Sequence, residues 1–82
     1  VPAPLISEEE RELRRRLSEL RAEMIKDAED VGEDFAEEAR KIHFGESEVK
    51  QIYGRTTLAD ARDLLDEGIG VLPLPPSFDE AN

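Results

Sequence analysis

What this chain lacks narrows it first. It has no cysteine, which removes disulfide frameworks, thiolate nucleophiles and cysteine metal sites. That absence favours a reducing compartment, and a cytoplasmic location is the expectation. Tryptophan is missing and aromatics make up 5% of the residues, so any core is modest. His43 is the sole histidine, which excludes a histidine metal cluster or a catalytic dyad. No apolar run approaches the ~20 residues of a membrane span. The start shows neither the basic segment nor the apolar run of a signal peptide; it begins at Val1, which is compatible with a processed leader. Bases are outnumbered, 11 against 21 acids, for a net charge of −10. That balance argues against direct binding to nucleic acid or an anionic membrane, both of which need a basic face.

What is present is helical periodicity. Leu13, Leu17, Leu20, Met24, Ala28, Val31, Phe35, Ala39 and Ile42 follow one another at steps of three or four, which is one face of an amphipathic helix. Leu13, Met24 and Phe35 stand 11 apart, a period of about 3.6 to 3.7 rather than the 3.5 of a heptad coil. This favours a straight helix packed in a bundle over a leucine-zipper dimer. Ser7 with Glu10 forms a capping box at its start, and Gly45 is placed as its C-terminal stop. The spacing therefore predicts one helix over 7–43, about 55 Å long. Gly32 is its weak point, at about 1 kcal/mol relative to alanine, but the stripe keeps phase across it.

The remaining elements are shorter. A helical turn is predicted over 47–53, with Val49, Ile52 and Tyr53 as its apolar face and Gly54 ending it. Thr57 with Asp60 opens a second helix over 57–67, which buries Leu58, Ala61, Leu64 and Leu65. Gly68 stops it, and Ile69 is set for the apolar contact that accompanies such a stop. Pro2 and Pro4 keep residues 1–6 extended, and Pro73, Pro75 and Pro76 impose polyproline-like geometry on a tail from residue 70 to 82. The expected architecture is all-α: an extended arm (1–6), a helical domain (7–69) and a proline-rich tail (70–82). A second helix of that length cannot cover the whole stripe, and exposed apolar surface of that extent marks an interface.

Charge is segregated along the chain. Residues 8–26 carry six acids and six bases, whereas residues 27–38 carry seven acids and no base. On a continuous helix Glu29, Glu33 and Glu37 form one ridge and Asp30, Asp34 and Glu38 another. Their like-charge contacts oppose the helix by about 1 to 2 kcal/mol at low salt, unless a basic partner offsets them.

Several motifs fail on inspection. Asp27 to Glu38 imitates a calcium loop, but Val31 stands where an oxygen ligand is needed. No phosphate-binding glycine spacing exists, and the PxxP from Pro73 to Pro76 has acids where an SH3 ligand carries a base. As an apolar arm, Leu72, Pro73, Leu74, Pro75 and Phe78 are better suited to docking on a groove. No enzyme, metal or cofactor chemistry is expected. The expected function is a protein-interaction module, a regulatory or accessory subunit of the inhibitor, antitoxin or small-subunit kind. It would bind a larger protein with a basic or apolar groove. Its candidate interface comprises the stripe (Leu13, Leu17, Leu20, Met24, Val31, Phe35 and Ile42), the acidic ridges and the tail. Two alternatives stand beside it: a self-assembling homo-oligomer, and an acidic nucleic-acid mimic.

Overall fold

The structure, a computed structural model, describes residues 5–78; the outer ends of both expected arms, 1–4 and 79–82, lie outside the described residues. The elements are α1 (Glu8–Ile25), β1 (Glu29–Asp30), a 3-10 turn (Gly32–Asp34), α2 (Phe35–His43), β2 (Ile52–Tyr53) and α3 (Leu58–Asp66). The protein is mostly helical rather than strictly all-α, because β1 and β2 pair in parallel, Glu29 beside Ile52 and Asp30 beside Tyr53.

The predicted helix over 7–43 is thus two helices with a strand and a turn between them. α1 begins with the expected box: the Glu10 N–H donates to Ser7 Oγ at 3.2 Å, and Glu10 Oε1 accepts from the Ser7 N–H at 3.1 Å. It ends at Ile25, before the base-free acidic stretch begins. The Glu29 N–H then donates to the Gln51 carbonyl and the Val31 N–H to the Tyr53 carbonyl, each at 2.9 Å. Those bonds replace the ones a helix would have made. Asp30 Oδ1 accepts from the Gly32 N–H at 2.9 Å, and Gly32 adopts a positive φ of 57°. An aspartate turning the chain onto a left-handed glycine is a local alternative to helix. Phase along the stripe survived the break because α2 resumes on its own apolar face, not because the helix continued.

The predicted helical turn over 47–53 is also absent. Residues 48–51 carry no regular structure, Val49 is exposed, and Ile52 and Tyr53 form β2. Parallel strands cannot be joined by a tight turn and need a crossover, usually a helix. α2 is that crossover, so β1, α2 and β2 form one βαβ unit.

The helix stops are as expected. Gly45 and Gly68 have φ of 77° and 85°. After α3, the Ile69 N–H donates to the Leu64 carbonyl at 2.9 Å, and Leu64 and Ile69 are both buried. This is the bond-and-contact pair of a Schellman stop. Thr57 Oγ1 caps α3 by accepting from the Asp60 N–H at 3.0 Å. Ala39, Leu64 and Ile69 are the buried core, flanked by Phe35, Ala36, Ile52 and Val71. Leu58 and Leu65, expected inside, are instead 70% and 53% exposed; α3 buries only the Leu64 edge of its apolar face.

By its internal contacts the chain divides into two compact units, one of residues up to 24 with those from 74, the other of residues 25–73. The core described above belongs wholly to the second.

Candidate functional site

In the first unit, α1 is a helix of 18 residues in which none is buried. Of the predicted stripe it carries Leu13, Leu17, Leu20 and Met24. Leu13 and Leu20 are 57% and 51% exposed, whereas Leu17 and Met24 are half-buried. The polar side is tied together by ion pairs: Glu12 engages both Arg15 and Arg16, the latter at 2.9 Å, and Arg15 also reaches Glu19. Hydrogen bonds from Arg15 and then Arg16 hold the Glu12 carboxyl down at about 2, against an ordinary 4.5. At 100° per residue, Glu10, Arg21 and Arg14 border one side of the stripe, and Glu9, Arg16 and Glu23 the other. Arg14 stacks over the Phe78 ring, with Cζ 4.8 Å from its centroid. The tail therefore docks, through Phe78, on the chain's own helix.

In the second unit the other stripe residues part company with these. Phe35 packs on the core, and Ile42 lines an open cleft of about 290 Å³ together with Phe35, Ala39, His43, Lys50, Ile52, Ile69, Gly70 and Val71. Val31 is half-buried at the end of β1. The cleft is apolar on its floor, with His43 and Lys50 as its polar lining. Lys50 is held by Glu29 at 2.9 Å; that bond, and the charges of Glu29, Glu38 and Glu48, raise its pKa. Of the tail residues here, Leu72 is exposed and Val71 packs against the core.

The acidic ridges do not exist as continuous ridges. Glu29 and Asp30 are on β1, Glu33 and Asp34 on the 3-10 turn, and Glu37 and Glu38 on α2. Their charge is offset from within: Glu33 lies 3.7 Å from Arg55, and Glu37 and Glu38 lie 3.8 and 3.6 Å from Lys41. The base-free stretch thus meets the bases of residues 39–55, which the linear charge count kept apart. A further bond joins α2 to the end of α3, where Arg40 and Glu67 form a two-pronged pair at 2.8 to 3.2 Å. It lowers the Glu67 pKa and raises that of Arg40.

Among the described residues no three His, Asp or Glu side chains are grouped to hold a metal ion, and no helix is long and apolar enough to cross a membrane. A family model described as "Protein of unknown function (DUF1178)" matches residues 2–79. The chain belongs to this family. No curated protein and no solved structure matches it.

For this member of the family, the features the sequence left unread are the cleft and the Arg14–Phe78 clasp. The α2 side of the cleft was legible as Phe35, Ala39 and Ile42. Its other walls come from residues up to 36 positions later in the chain, and no local spacing joins them. Nothing in the linear pattern pairs Arg14 with Phe78 either.

Proposed function

We propose that this chain is a protein-interaction module that presents α1 as an amphipathic helix to an apolar groove of a larger protein. The observation that carries the reading is that α1 has no buried residue while Leu13 and Leu20 stand more than half exposed on one face. Helix-in-groove recognition uses anchors at such three- and four-residue spacing. Leu13, Leu17, Leu20 and Met24 are the anchors. The acidic residues from Asp27 to Glu38 are the weaker candidates, because most have partners within the chain. The tail from Leu74 to Phe78 belongs to the interface only as far as it borders α1.

The test places a photo-activatable cross-linking residue at position 20 and, separately, at the more exposed position 58 on α3. Adducts with one protein formed from position 20 and not from position 58, and lost in Leu13→Glu, support the reading. Adducts of the same protein from position 58 alone would move the interface to α3.

Self-association is the second reading, favoured by the balance of charge over residues 8–26, six acids against six bases, so no net repulsion opposes pairing of two α1 helices. Sedimentation at low micromolar concentration separates the two. A dimer that Leu13→Glu dissolves supports self-association; a monomer supports the foreign partner.

A further inference from the structure

We propose that residues 74–78 form a releasable strap on α1, whose Phe78–Arg14 clasp limits access to the Leu13–Met24 stripe. Arg14 directly follows Leu13 and precedes Leu17 by three residues, so the clasp sits on the border of the stripe. On that border Leu17 is half-buried, as are Leu74, Pro75 and Phe78 of the tail. Three features make the attachment reversible. Residues 70–76 make no backbone hydrogen bond among the described residues, and Pro73, Pro75 and Pro76 have no N–H to offer. No backbone hydrogen bond therefore holds the 74–76 part of the strap. An exposed cation–π contact favours the attached state by a factor of only about two to five. The prolines already restrict the free tail, so little conformational entropy is lost on docking, and a weak contact suffices. The strap thus acts as a competitor in place on the helix, displaced by any partner that binds the stripe more tightly. This rests on the reading of the stripe as the binding surface.

The absence of cysteine gives a direct test in the full chain. Ser18→Cys and Pro76→Cys provide unique spin-label positions, and the label-to-label distance distribution reports strap attachment. Binding of a hydrophobic dye reports the exposed stripe, and far-UV circular dichroism controls for folding. Phe78→Ala is expected to shift the distribution two- to five-fold toward longer distances and to raise dye binding. Leu17→Ser, at the half-buried stripe position beside the clasp, with Leu13→Ser should abolish that rise. A distribution unchanged by Phe78→Ala overturns the strap and leaves the stripe reading untouched. Release with no rise in dye binding overturns the strap's control of the stripe. If the strap releases but dye binding ignores the leucine substitutions in every background, the stripe reading itself fails.

Discussion

Gly54 sits where β2 leaves the sheet, and a Cβ there would collide with the Gly32 carbonyl oxygen and lie 3.2 Å from Phe35 Cβ. Gly32 opens the 3-10 turn and Phe35 begins α2, so Gly54 is the contact that seats the end of β2 against the break in the expected long helix. Gly54→Ala is expected to cost about 1 to 3 kcal/mol in urea unfolding, the range for forcing extra volume into a filled site. Gly70→Ala, with open space around it, should stay within about 0.5 kcal/mol. Gly32 provides a test by sign. In a continuous helix, Gly32→Ala would stabilise by about 1 kcal/mol. With φ at 57° it should destabilise by about 1 to 2 kcal/mol, and Gly32→Asn by less.

At the scale of the element, α1 and α3 depend on their ends and on charge. Thr57→Ala removes the hydroxyl that accepts from the Asp60 N–H and should lower stability by about 1 kcal/mol. α1 has a pH dependence of definite sign. The Glu12 carboxyl is held at about 2 in the fold against 4.5 ordinarily. Its contribution is therefore complete above pH 4.5 and is lost as pH falls toward 2. Ellipticity at 222 nm should decline over that window, and the decline should be smaller in Glu12→Gln. An identical titration in the variant would mean that Glu12 is not the group responsible.

At the scale of the whole molecule, the only fully buried large side chain among the described residues is Leu64, at 0% exposure. Its partners Ala39 and Ile69 come from α2 and from the segment after α3. Leu64→Ala should therefore cost about 2 to 5 kcal/mol. Hydrogen exchange should quicken across α2 and α3 far more than in α1, because that core lies within residues 25–73. Equal quickening in α1 would mean that the two units unfold as one. A core this small in so short a chain is the reason apolar surface remains on α1, on α3 and in the cleft.

Local chemistry was legible in the sequence wherever it is settled within a few residues. The Ser7 and Thr57 caps, the glycine stops at Gly45 and Gly68, the Leu64–Ile69 contact and the amphipathic face of α1 all depend on neighbours no more than five positions apart. The sequence also showed where the long helix was weakest, in the acidic stretch around Gly32. It could not show what would replace it. The strand there exists only because Gln51 and Tyr53, more than twenty residues later, offer their carbonyls. Lys50, Lys41 and Arg55 then bring the compensating charge that a linear count places elsewhere. For the same reason the stripe, continuous on paper, is divided in space. Leu13 to Met24 remain on an unburied helix, while Phe35 and Ala39 are drawn toward Leu64 and Ile69. Periodicity determined which residues are apolar on a shared helical phase; pairing between distant segments decided which of them are drawn into the core and which remain exposed.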